Sequence, residues 1–202
     1  MTKSLAFIDF ETTGLSPEGG DRVIEVGIAV LEQGRIVKRY QSFINPQKRI
    51  PYEVVSLTGI SDAMVRTAPN ASEVMSEVLE FIGAAPLVAH NASFDKRFMD
   101  SELRRMNRHC ANDFICSLRV ARRVYPAAPN HKLATLVRLT GVQPAEQYHR
   151  ALGDAEMTAG LWTRMISDIE EQHGVASVSL ELMQSLQSCR VAGAAEAIAR
   201  YV

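Results

Sequence analysis

The sequence predicts an α/β fold, a mixed sheet with helices on its faces, and two observations carry that reading. Three stretches rich in Val, Ile and Phe come first and close together, at residues 3–10, 22–31 and 35–44, and read as strands. Beyond Pro46 and Pro51 the pattern changes to helical stretches alternating with short apolar runs, the order that lays helices across a sheet.

The elements follow in turn. Gln33-Gly34 is a turn signal between the second and third strands, which therefore form a hairpin. Residues 53–58 and 72–81 read as helices, Leu87–Ala89 as a short buried strand and 93–107 as an amphipathic helix. Phe114–Cys116 is the candidate fifth strand, followed by helices near 117–124, 132–139 and 151–172. Residues 175–202 stand apart as a tail with Val178, Leu182, Leu186, Val191, Ala195 and Ile198 at helical spacing. We therefore divide the chain into a domain over 1–174 and a helical extension over 175–202. Periodicity alone takes the fold no further than α/β.

A chain of 202 residues that is 47% hydrophobic can bury a full core. No apolar run is long enough to cross a membrane, and no basic segment leads into a signal-peptide core, so a soluble, cytoplasmic protein is expected. Cys110, Cys116 and Cys189 are odd in number and form no CxxC pair, which argues against a disulfide framework or a zinc site. The net charge of −1 argues against electrostatic attachment to duplex DNA. Residues 95–150 nevertheless carry eleven Lys or Arg against five Asp or Glu, a local +6. Within that stretch Lys132 and Arg150 are the candidates for phosphate contacts.

The most telling feature is Asp9 with Glu11. Side chains alternate along a strand, so these two carboxylates share one face while Ile8 and Phe10 point the other way. Two like charges at the end of an apolar strand repel and lose hydration, and a bound cation relieves both effects. Asp95 follows the short strand that ends at His90 and Asn91, and Asp154 opens another helix. Four such acids without a Cys or His cluster make a hard oxygen site, suited to Mg²⁺ or Mn²⁺ rather than zinc. Five residues of helix turn through roughly 500°, so His149 and Asp154 would not share a face on one continuous helix. His149 is therefore expected on the approaching loop, with Asp154 in the helix's first turn.

Three segments resemble the three motifs of the DnaQ-like, or DEDDh, family of 3′-to-5′ exonucleases, which includes the proofreading epsilon subunit of bacterial DNA polymerase III. Phe7-Ile-Asp-Phe-Glu-Thr-Thr-Gly14 is similar to the first, Ala89-His-Asn-Ala-Ser-Phe-Asp95 to the second and His149-Arg-Ala-Leu-Gly-Asp154 to the third. All five signature positions, Asp9, Glu11, Asp95, His149 and Asp154, are filled in order, and the similarity spans roughly residues 3–167. The resemblance implies a ribonuclease H-like fold with a mixed five-stranded sheet. It also implies two divalent ions held by Asp9, Glu11, Asp95 and Asp154, with His149 accepting the proton of the attacking water. An imidazole, which titrates near pH 6.5, suits that task. The product would be a 5′-mononucleotide.

By the same resemblance the turn Thr12, Thr13, Gly14 approaches the terminal nucleotide, and Leu15, Ile60 and Phe94 wedge or sandwich bases without reading them. Asn91 is placed either to cap the next helix or to touch substrate. His90 reads as a structural hydrogen-bonding residue. The partner is a single-stranded nucleic acid with a free 3′ end. Substrate stays open between DNA, which the wording of the first motif favours, and RNA trimmed at its 3′ end, while a catalytically idle adaptor is the alternative from another class. The tail is expected to pack on the domain or to mediate self-association or contact with a polymerase.

Overall fold

A computed structural model describes residues 4–145 and 149–201. Strand β1 (Leu5–Thr12) runs through the middle of a five-stranded sheet of order β3-β2-β1-β4-β5. On one side it pairs antiparallel with β2 (Val23–Glu32), which pairs antiparallel with β3 (Arg35–Phe43). On the other it pairs parallel with β4 (Leu87–Ala89), and β4 parallel with β5 (Phe114–Cys116). The expected hairpin closes at Gln33 and Gly34, both at positive φ (49° and 75°), as a tight turn matching the twist of its strands requires.

The alternation of β1 sorts its side chains between two cores. Phe7 faces one with Ala29, Val88 and Ile115, covered by the long helix whose Ala155, Ala159, Trp162 and Met165 join that cluster. The Phe7 and Trp162 rings meet edge to face at 6.2 Å between centroids. Ala6, Ile8 and Phe10 face the other core, filled by Val74, Val78, Phe98 and Leu103.

Nine α-helices are found among the described residues: α1 (Tyr52–Thr58), α2 (Asp62–Val65), α3 (Ala71–Ile82), α4 (Ser93–Arg105), α5 (Ser117–Val124), α6 (Leu133–Thr140), α7 (Ala151–His173), α8 (Leu180–Ser188) and α9 (Ala194–Ala199). α3 opens on a capping box, Asn70 accepting from the backbone of Ser72 and Glu73 while Glu73 accepts from Asn70 N–H. α2 is too short for periodicity to reveal. β1 also continues two residues beyond its expected end at residue 10, because Glu11 pairs with Glu25 of β2. Asp9 and Glu11 thus lie within the paired strand.

The tail belongs to the core. Leu182, Met183 and Leu186 of α8 and Ala197 and Ile198 of α9 fall in the same buried cluster as Trp162. Gln187 Oε1 accepts a 2.9 Å bond from Cys116 N–H on β5, and Arg123 donates to the Cys189 carbonyl. Of the apolar stripe read in residues 175–202, Val178, Leu182, Leu186 and Ile198 thus pack against the rest of the chain, whereas Val191 and Ala195 are exposed. Among the described residues no helix is long and apolar enough to cross a membrane.

Candidate active site

The site forms where parallel strands β1 and β4 end, the edge at which α/β sheets commonly bind ligands. Asp9 and Glu11 project from β1 toward the first turn of α7, on the side where Phe7 meets Trp162. β4 runs level with β1, Phe7 opposite Val88, and so delivers the turn at Asn91 beside Asp9. Asn91 takes positive φ (74°) and its carbonyl accepts from Phe94 N–H at 2.9 Å. No side chain caps α4, so the capping role considered for Asn91 is not what the structure shows. The tight turn sends α4 back under the sheet, where Asp95 is 2% exposed and accepts a 3.2 Å bond from Phe10 N–H.

Asp154 occupies the first turn of α7, and His149 precedes the N-cap Arg150. The loop histidine and helix aspartate expected from their spacing are both present. His149 is exposed, at φ 60°, a conformation uncommon for a residue with a β-carbon. Glu11, His149 and Asp154 each offer a ligand atom, and these atoms lie within 4.8 Å of one another.

Crowding of acids governs the electrostatics. Burial, reinforced by Asp95, Asp154, Glu11 and Glu25, holds the Asp9 carboxyl well above the usual carboxylate range. Burial and then Asp154, Glu25 and Asp95 push Glu11 up to about 8, with Arg150 opposing. Asp95 is pushed to about 8 by burial against the pull of the Phe10 N–H, and Asp154 to about 6 by burial against the pull of His149. A cluster that disfavours its own ionisation to this degree fits a divalent cation. Its carboxylate oxygens are the hard donors such a cation takes.

The residues expected at the substrate divide. Leu15 is 77% exposed, and Arg97 donates to its carbonyl from α4. Phe94 is partly buried, its ring 4.9 Å from that of Phe98. Thr12 donates to the Gly14 carbonyl, while Thr13, 1% exposed, donates to Asp21 and accepts from Arg22 N–H. A β-carbon on Gly14 would collide with the Asp21 carboxylate. The two threonine side chains thus build the turn, leaving Leu15 as its projecting group. Ile60 corrects our reading: it is 0% exposed, packed with Ile24, Ile50 and Val65, so its side chain has no surface to offer a base.

Arg150 is a second correction. It forks onto Glu25 instead of reaching outward, Nη2 to Oε1 at 2.8 Å and Nε to Oε2 at 3.2 Å, while its guanidinium carbon lies 5.3 Å from the centre of the Phe43 ring. Lys132 remains exposed at the start of α6. His90 is structural, as expected, with Nε2 donating to the His131 carbonyl and Nδ1 2.9 Å from Ser117 Oγ. The residue the sequence did not announce is Glu25. It is wholly buried and also accepts from Ala151 N–H at 3.1 Å, tying the first residue of α7 to β2. A lone acid inside the apolar run Val23-Ile24-Glu25-Val26 was its signal.

Comparison with known proteins agrees with this geometry. Residues 6–162 match the model of the exonuclease family. The chain belongs to that family. The resemblance to DnaQ-like, DEDDh, 3′-to-5′ exonucleases and the ribonuclease H-like fold it implied are borne out, and the chain is an exonuclease of that type. It is 38% identical over 171 residues to the DNA polymerase III PolC-type of Caldanaerobacter subterraneus subsp. tengcongensis, matching 85% of this chain but 12% of that protein. Exonuclease X, solved in complex with 5′-overhanging duplex DNA, superposes with a TM-score of 0.72 at 25% identity, covering 91% of this chain and 99% of that one. The nuclease domain of 3′hExo, a DEDDh member bound to rAMP, shares the fold with a TM-score of 0.73 at 21% identity, over 83% of this chain and 93% of that one.

Proposed function

We propose that this exonuclease removes 5′-mononucleotides one at a time from the 3′ end of single-stranded or frayed DNA, in proofreading or repair. The observation that carries this reading is the convergence of Glu11, His149 and Asp154 beside Asp9, with Asp95 held beneath through Phe10 N–H. Asp9, Glu11, Asp95 and Asp154 would hold two divalent cations, Mg²⁺ or Mn²⁺. When bound, such ions would lower the pKa of the attacking water, orient the scissile phosphate and offset charge on the departing 3′-oxygen.

His149 would accept the water's proton at a ring nitrogen as the water attacks phosphorus. Its exposure on a loop lets it meet water from the solvent side, while Asp154 stays fixed in the helix. Leu15 and Phe94 would flank the terminal base through apolar contact, which tolerates any sequence. Asn91, exposed in the turn before α4, would lie at the rim of that pocket. The turn after β1, built by Thr12, Thr13 and Gly14, would let the backbone approach the terminal nucleotide.

DNA is favoured because the curated relatives are PolC-type DNA polymerases III and Exonuclease X was solved with DNA. A polymerase-linked role would put the protein in the cytoplasm, and a polymerase among its partners. The second reading, 3′-end trimming of RNA, is supported by 3′hExo, solved with rAMP. An idle adaptor would lack a signature acid or the histidine, and all five are present. Digestion of matched DNA and RNA strands of one sequence decides between the two substrates. Our reading predicts faster stepwise shortening of the DNA; a clear preference for RNA would transfer the assignment to the second.

A further inference from the structure

We propose that Arg150 is a positioning residue for His149: clamped by Glu25 and Phe43, it holds the loop backbone so that the imidazole stands over Glu11 and Asp154. The proposal rests on the reading of His149 as the base. Its starting point is the carboxylate of Glu25, which has no lone pair to spare for a cation. Oε1 accepts from Arg150 Nη2 at 2.8 Å and from Gln41 Nε2 at 2.9 Å. Oε2 accepts from Arg150 Nε at 3.2 Å and from Ala151 N–H at 3.1 Å. Though it lies opposite Glu11 in the sheet, Glu25 is thereby removed from the ligand set and dedicated to the chain at 150–151.

The guanidinium is held from a second direction by the Phe43 ring, 5.3 Å away, which belongs to the residue paired with Glu25 on β3. Arg150 is consequently fixed at its tip by two strands and at its backbone by the start of α7. The preceding residue is His149 at φ 60°, a conformation that persists only where the surroundings over-determine it. The His149 backbone N–H donates to the Asp154 carboxylate on one side, and on the other the arginine next to it is anchored at its tip and at its backbone. The helix start has its own tether in the Ala151 N–H bond, so loosening the Arg150 side chain leaves Asp154 in place and removes one of the two restraints on the histidine.

A double-mutant cycle with Arg150→Lys and His149→Ala, read as turnover and KM on a single-stranded oligonucleotide with Mg²⁺, tests this. Lysine keeps the charge beside buried Glu25 but cannot fork onto it. Arg150→Lys should lower turnover by on the order of 10- to 100-fold with KM nearly unchanged. In the His149→Ala background the same substitution should cost less than about threefold, because no base remains to misplace. The paired variant Glu25→Gln with Arg150→Met, which leaves no buried charge, should melt cooperatively and show the same turnover loss. A rise in KM with turnover preserved would make Arg150 a phosphate contact and overturn the proposal. So would an equal loss in both backgrounds while His149→Ala alone is strongly impaired. Unchanged turnover in His149→Ala would overturn the base reading itself, and the clamp with it.

Discussion

Gly27 of β2 lies directly beneath Leu152, so close that a β-carbon on the glycine would overlap the backbone of Ala151 and Leu152. The first turn of α7 therefore touches the sheet backbone to backbone, which lowers Asp154 to the level of Asp9 and Glu11. Gly27→Ala should lift the helix start. We expect a loss of about 1–3 kcal/mol in stability, with a larger proportional loss of turnover because Asp154 and His149 move with the helix. Thermal melts and turnover measured on the same preparation check this; an active, unshifted Gly27→Ala enzyme would mean that the close approach is dispensable.

His149→Ala should lower turnover by roughly 10²–10⁴-fold, the range for a lost general base. Affinity for the oligonucleotide should barely change, since in the proposed role the histidine acts on water. Steady-state kinetics with an independent binding measurement separate the two quantities. Weakened binding at unchanged turnover would reassign His149 to substrate contact.

The raised carboxyls make metal-free stability depend on pH. In the folded state Glu11 keeps its proton to about 8, whereas its ordinary value is 4.5, and Asp95 is likewise pushed to about 8. Folded protein thus binds more protons than unfolded chain across that window, so the stability these groups contribute is full at acid pH and is lost as pH rises toward 8. In EDTA the melting temperature should fall from about pH 5 to about pH 8, and Mg²⁺ should restore more of it the higher the pH. Glu11→Gln with Asp95→Asn should make the slope shallower, leaving the share carried by Asp9 and Asp154. A slope unchanged in that variant would place its origin elsewhere.

Much of the site was legible because its carriers are local. Asp9 and Glu11 share a face by the pleat of one strand, and the spacing of His149 from Asp154 already separated loop from helix. What sequence could not supply was the partner of a residue far along the chain. Arg150 read as a phosphate contact because Glu25, 125 positions away, is invisible to any window containing it. Ile60 read as a wedge because burial in a small cluster with Ile24 and Ile50 depends on three separate segments meeting. The tail's apolar spacing was plain, yet only the packed chain shows that its other side is Trp162 and not another molecule.

That packing carries its own expectation. Leu186 is fully buried with Leu182 and Met183, so Leu186→Ala should cost about 2–5 kcal/mol. A chain ending at Gly174 would expose the same surface on α5 and α7 and should lose its cooperative melt. Calorimetry of both variants is the check, and a truncated protein melting at the full chain's temperature would show the tail to be a separate appendage.

The central claim is that Asp9 and its companions hold divalent cations for hydrolysis at a 3′ end. The most direct measurement follows a 5′-labelled single-stranded DNA, with a circular strand of the same sequence alongside, incubated with Mg²⁺ or Mn²⁺ and either wild-type protein or Asp9→Ala. The account predicts a ladder of products shortened from the 3′ end by the wild type, an intact circle, and no digestion by a folded Asp9→Ala protein. Near-normal digestion by that variant, or cutting of the circle, would contradict it.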